Sequence, residues 1–349
     1  MKIVYLNGAR NGCALWRSFY PGNELIRLGH EVVYAEHREE VCPGTDIVVF
    51  QRMCDQVGWS LMQQAKFVGA KTVLDLDDDM LNVPLSNPAY KTSKGNKKYV
   101  IMMAEAADIL TVSTNYLAKK YSEYNEVVVL PNSFPEAAYC MPPRCQSHSD
   151  LIFWFGGDTH VHDLQILARL PKSWLRQQRI VTMGKIPTEL EPYVTAQVPP
   201  TTLDQYLPKA YQVARGIGVA PLKYNELNRA KSNIHWLEYT AIGIPTVATD
   251  IDAYNEDIVD GENGMLAHKN DPDQWISCIE KLKQPHWQDR LVFNARQDAL
   301  RNYSIETNVA KWERTYNQIL NGVEHELPEP TTGSNSLKCK NREECSTGI

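Results

Sequence analysis

Short β-branched runs alternate with helix-length amphipathic stretches twice over in this chain, and a proline-rich break separates the two series. The first series runs KIVYL (2–6), helical spacing over 15–29, EVVYAE (31–36), DIVVFQ (46–51), a helix over 60–69 and KTVLDLDDD (71–79). After a Pro/Asn- and Lys-rich loop it continues with a helix over 97–107, DILTVS (108–113), a helix near 115–121 and VVVLPN (127–132). The second series has strands at 151–157, 179–184, 216–222, 245–250 and 263–267, with helices over 162–170, 203–211, 232–242, 272–283 and 286–300. Near-continuous apolar strands separated by helices are buried on both faces, which predicts a parallel, doubly wound α/β sheet for each series. The segment 133–149 carries proline pairs and no periodicity, so it reads as a linker. The expected boundaries are a Rossmann-like N-terminal domain over 1–140, a linker over 141–150 and a Rossmann-like C-terminal domain over 151–303. A crossover helix over 304–322 then returns to the first domain, and a polar, disordered tail fills 323–349. Two such sheets face a cleft at the carboxyl ends of their strands, where ligands of this architecture bind.

A length of 349 residues suits two domains of roughly 150 residues each. The net charge of −6 excludes a protein that coats nucleic acid through its overall field. No stretch approaches the ~18 apolar residues of a membrane span, and MKIVYLNG lacks the charged and apolar regions of a signal peptide. Eight cysteines, at 13, 42, 54, 140, 145, 278, 339 and 345, form no CxxC pair. Reduced thiols in the cytoplasm follow as the expectation, with no disulfide framework and no zinc site.

The stretch NRAKSNIHWLEYTAIGIPTVATD (228–250) carries the most chemistry. Ser232 or Asn233 is suited to cap a helix that ends at Gly243. Free amides and the positive dipole end at that helix start form an anion site, and Lys231 adds a full charge. Glu238, two turns in, is placed to accept hydroxyl hydrogen bonds from a ribose. These residues, with the later EDIVDGENGMLAHKNDPDQW (256–275), resemble the donor-binding region of retaining GT-B glycosyltransferases of the family 4, group 1 type, including phage-encoded enzymes. The resemblance is sharp over 215–283 and loose over 1–320. It implies two Rossmann-like domains across a cleft, a nucleoside diphosphate sugar as co-substrate (a UDP-sugar favoured), no required cofactor and no metal. Glu238 matches the family's ribose-binding acid. The family's first acid falls on Ala230, the next glycine on Lys231, and FWFGGDTHVHD (153–163) stands where the family places an Arg and a Lys.

The expelled diphosphate needs cations or aimed donors. Lys231, Arg229, Ser232, Asn233 and His160 are the expected group, with Gly156 and Gly157 beside His160 and Lys185 as a further candidate. Across the cleft, Gly8, Asn11 and Gly12 of the loop after the first strand are expected donor contacts, while Arg17 reads either as a phosphate contact or as a surface residue. Within DLDDD (75–79), Asp77 and Asp78 are expected on the acceptor side, holding or deprotonating a hydroxyl; a divalent-metal site and a solvated acidic turn are the other readings of that run. Lys91, Lys94, Lys97 and Lys98 read as a solvated face or as a grip on a polyanion. His160 and His162 do not have a zinc spacing. Lys231, His160 and Asp78 are the expected catalytic residues.

The implied reaction moves a hexose-type sugar to a hydroxyl with retention; inversion would need Asp77, Asp78 or His160 as base. The acceptor is a glycan or lipid-linked sugar, or a hydroxymethylated DNA base in a host cytoplasm. A nucleotide-sugar-binding protein without catalysis, and a GT-B-like sugar epimerase, are the alternatives.

Overall fold

The computed structural model describes residues 1–8, 12–35, 41–139, 149–199 and 201–322. Asn11, Cys140, Cys145, Cys339, Cys345, nearly all of the expected linker and the tail from 323 lie outside the described residues.

Each series of alternating elements forms a six-stranded sheet in which every described pairing is parallel. The first holds β1 (Lys2–Asn7), β2 (Glu31–Tyr34), β3 (Ile47–Gln51), β4 (Lys71–Leu76), β5 (Ile109–Val112) and β6 (Val127–Val129), in the order β2-β1-β3-β4-β5-β6. The second holds β7 (Ile152–Phe155), β8 (Ile180–Met183), β9 (Ala196–Val198), β10 (Ile217–Ala220), β11 (Thr246–Thr249) and β12 (Met265–Ala267), in the order β12-β11-β10-β7-β8-β9. The strand β9 has no counterpart in the sequence reading, because three residues beside a proline pair, two of them exposed, give no apolar run. Strand order reverses between β1 and β3 in one sheet and between β7 and β10 in the other. Those reversal points open the crevices where doubly wound sheets bind ligands.

Central strands are buried on both faces, as the apolar runs IVVFQ and IFWF require. Helix Ile305–Asn321 packs Trp312 and Tyr316 against Ile3, Tyr5 and Ile47 of the first sheet. Ser304 caps it by accepting from the Thr307 amide at 3.2 Å. The Phe134 amide donates to Tyr303 O at 2.8 Å and the Ile305 amide to Phe134 O at 3.0 Å, pinning the chain where it crosses between domains.

The lysine-rich segment is not a loop. Tyr90–Ala106 is one helix whose Ser93, Val100, Met103 and Ala104 face the core. The prolines and asparagines before it, and Gly95 within it, mask the 3.6-residue period from which a helix is read.

Candidate active site

The loop after β1 and the end of β3 are locked together. The Gly8 amide donates to Gln51 O at 2.8 Å, and a Cβ on Gly8 would lie 2.5 Å from the Arg52 carbonyl oxygen. Glycine is therefore required for close backbone approach, and Arg52 itself takes a left-handed φ of 51°. Its guanidinium Nε donates to Asp77 and its Nη2 lies 3.2 Å from Asp78. Burial alone would raise the Asp77 carboxyl, but the Arg52 and Arg17 charges outweigh it and hold the group below the usual carboxylate range. Asp79, fully buried, receives Lys120 at 2.6 Å.

Arg17 is neither a phosphate contact nor a surface residue. It is fully buried on a π-helical turn, Leu15–Phe19, and forks onto Asp75 at 2.6 and 3.0 Å. It also donates to Asn132 Oδ1 at 3.2 Å, and Asn132 Nδ2 donates to Ser232 Oγ at 2.7 Å in the other domain. The start of the C-terminal signature is thus tied to the buried ion pair of the N-terminal core.

Two cavities meet between the domains. The larger, about 840 Å³, is lined by Gly12, Trp16, Tyr20, Gly156, Gly157, Tyr206 and Glu238, among others. Trp16 and Phe134 stack along it with ring centroids 4.8 Å apart. The smaller, about 360 Å³, is lined by Arg52, Asp77, Asp78, Asn96, Lys231 and Ser232, among others. Thr159, His160, Ile234, His235 and Cys13 line both and form the throat between them. Burial beside Asp77 pushes the Cys13 thiol up to about 12, so it stays protonated and is not a ready nucleophile.

Glu238, on helix Ile234–Ile242, is 7% exposed and makes no hydrogen bond or ion pair among the described residues. Burial pushes its carboxyl up to about 8. Buried carboxylates are ordinarily paired, so this one lacks the partner that its position calls for. The helix ends at Gly243 with φ 85°, as the sequence requires. Asn233 occupies the cap position, but without a side-chain cap hydrogen bond.

Of the residues singled out in the sequence, Lys231, Ser232, His160, Asp77 and Asp78 meet in one cavity, and Lys231 Nζ lies 3.7 Å from Asp78 across the cleft. Gly12, Gly156, Gly157, His160 and Glu238 meet in the adjoining one. Others lie apart. Gly8 lines neither cavity and serves the turn. Arg229 turns away to Asp252 at 2.8 Å and stacks on Tyr116. Asn233 opens onto a third cavity behind the signature, and Lys185 is exposed. Lys91, Lys94, Lys97 and Lys98 are exposed, and three of them follow i, i+3, i+7 spacing on a face other than that of Thr92, Ser93 and Asn96, which line the smaller cavity. Arg52, His235, Asp163, Asn132 and Tyr206 escape the sequence reading. No local signal marks Arg52: its place at a strand-order reversal and its pairing with Asp77 emerge only once the strands are assembled.

Among the described residues no group of three or more His, Cys, Asp or Glu side chains is placed to hold a metal ion, and no helix is long and apolar enough to cross a membrane.

Two Rossmann-like domains closing on a cleft define the GT-B architecture, and solved GT-B structures superpose on most of the chain. Sucrose-phosphate synthase from Thermosynechococcus elongatus does so with a TM-score of 0.70 at 12% identity, covering 92% of this chain and 99% of that one. Anabaena HepE, in complex with UDP-glucose, gives 0.66 at 13%, covering 91% and 100%. A glycosyltransferase from Rickettsia africae gives 0.63 at 14%, covering 91% and 98%. No curated protein matches the chain by sequence. Residues 141–284 match the model of the glycosyl transferases group 1 family.

Proposed function

We propose that the chain transfers a sugar from a nucleoside diphosphate sugar, a UDP-sugar by preference, to a hydroxyl of a glycan-type acceptor with retention of configuration. The observation that carries this reading is Glu238: a buried carboxyl without a partner among the described residues, on the wall of a large cavity with aromatic sides. Ribose hydroxyls donating to it would supply the missing hydrogen bonds, and the aromatic wall suits a base. Five residues separate Glu238 from Asn233, about 7.5 Å along a helix, a span that a ribose joined to a diphosphate bridges. The diphosphate then reaches the helix start, where Ser232 and Lys231 stand. A solved relative by fold, HepE, binds UDP-glucose, which supports the choice of nucleotide.

The acceptor belongs in the smaller cavity, against Asp78, Asn87, Thr92 and Asn96. These are hydroxyl-binding side chains rather than phosphate-binding ones. Its oxygen attacks the anomeric carbon on the face from which the diphosphate leaves. The bond from that carbon to the phosphate oxygen breaks, and the departing oxygen takes the acceptor's proton. Lys231 meets the developing negative charge. No protein nucleophile is needed. Were the outcome inversion, Asp78 or His160 would act as base, since Asp77 is committed to Arg52.

Incubation with UDP-sugars and oligosaccharide acceptors tests this directly. Mass spectrometry should show UDP release with a product one sugar heavier, and NMR should show the donor's anomeric configuration kept. A complex with UDP bound away from Glu238 would defeat the reading.

A further inference from the structure

The throat between the two cavities includes a pair of imidazoles, and among the described residues each is tied at one nitrogen only. His235 Nε2 lies 3.0 Å from the Phe155 carbonyl oxygen. A carbonyl oxygen only accepts, so Nε2 carries the proton and Nδ1 is bare in the neutral ring. His160 Nδ1 lies 3.2 Å from Asp163 Oδ2. Asp163 is itself fixed: its Oδ1 accepts from the Lys223 amide at 2.9 Å and from Asn228 Nδ2 at 2.8 Å. Burial would raise the Asp163 carboxyl, but His160, the Lys223 amide and Lys231 outweigh it, so it is ionised and accepts only. His160 Nδ1 therefore donates, and Nε2 is bare. Burial is the main cause that lowers both imidazoles, His235 to about 3, so both are neutral near pH 7. The rings stand edge to face, 5.3 Å apart.

Both rings line the throat, and their bare nitrogens accept hydrogen bonds and offer none. They repel phosphate oxygens and suit hydroxyls, in contrast to Lys231 beside them. Ala230, where the sequence resemblance would place a sugar-contacting acid, is fully buried and packed in the N-terminal core. We propose that His160 and His235 together read two hydroxyls of the transferred sugar, and that Asp163 is a positioning residue that fixes the His160 tautomer. This rests on the nucleotide-sugar reading and names its sugar-recognition element.

The test compares binding of UDP with UDP-glucose, UDP-galactose and UDP-N-acetylglucosamine by calorimetry, in the wild-type chain and in H160A, H235A and D163N. The wild-type chain should bind at least one of these sugars more tightly than UDP, and each variant should lose about tenfold of that preference, the worth of one hydrogen bond. Affinity for UDP itself should stay within about threefold, because the nucleotide contacts are elsewhere. In chain labelled with ¹⁵N at histidine, the bare nitrogens of His160 and His235 should shift when the UDP-sugar is added and not when UDP is added. D163N should move the His160 proton to Nε2, which a merely structural role for Asp163 would not do. Preference for the sugar retained in H160A and H235A, no preference in the wild-type chain, or a wild-type His160 protonated at Nε2 would overturn the inference while UDP binding stands. Absence of UDP binding would overturn the functional reading first and this one with it.

Discussion

On the N-terminal wall of the cleft, Arg17 holds Asp75, Arg52 holds Asp77 and Asp78, and Lys120 holds Asp79. On the C-terminal wall, Glu238 has no partner among the described residues, and two histidines keep a bare nitrogen each. One wall has its charges settled before anything binds. The other leaves polar groups facing a cavity with no protein partner among the described residues. A carboxylate cluster read from sequence invites a catalytic role, yet its ion pairs make most of it scaffold; the lone Glu238 inside an apolar helix is the acid left unpaired among the described residues, on a cavity wall.

The largest expected effect breaks the settled wall. R17M should destabilise the fold by about 3–5 kcal/mol, because Asp75 is left as an uncompensated buried charge, and urea denaturation would read it. A normal midpoint together with lost UDP binding would make Arg17 part of the site and erase the contrast.

Next comes E238Q. Loss of hydrogen bonds to a charged acceptor should weaken UDP by about tenfold to a hundredfold, measurable by calorimetry. Stability should move the other way. A carboxyl whose folded value is raised from 4.5 to about 8 stabilises the fold below its ordinary range and loses that contribution as pH rises through about 8. The variant's Tm should therefore match wild type at about pH 4 and exceed it at about pH 9. UDP binding near pH 7 should also release a proton, seen as a buffer-dependent binding enthalpy.

K231A should be milder for binding, weakening UDP by about tenfold at low salt while leaving uridine unchanged. Equal losses for both ligands would detach Lys231 from the diphosphate.

The smallest effect is expected from charge reversal at Lys91, Lys94 and Lys98. Surface changes away from special features stay within about 0.5 kcal/mol, so Tm and sugar transfer should hardly change. A large loss of transfer, sensitive to salt, would return the polyanion grip to consideration.

Much of the frame was legible in the residues. Apolar runs of four to six residues set eleven of the strands, and Gly243 followed by Pro245 marks a helix end and a strand start. The position of Glu238 on that helix was legible too, while its want of a partner among the described residues was not. Asp163 and Arg52 were not, because their meaning comes from partners far along the chain: Asn228 for the first, Asp77 for the second. The lysine cluster misled for the opposite reason. Charge density is visible in sequence, but the face it occupies depends on a helix whose period the surrounding prolines, asparagines and Gly95 obscure.

The sequence by itself determined two doubly wound sheets and the helix that ends at Gly243, since strand burial and helix ends follow from local pattern. Only the tertiary structure decided which charges are free. Pairing depends on distances between segments that no local pattern encodes, and in a buried site a few ångströms separate an inert ion pair from a group that waits for its ligand.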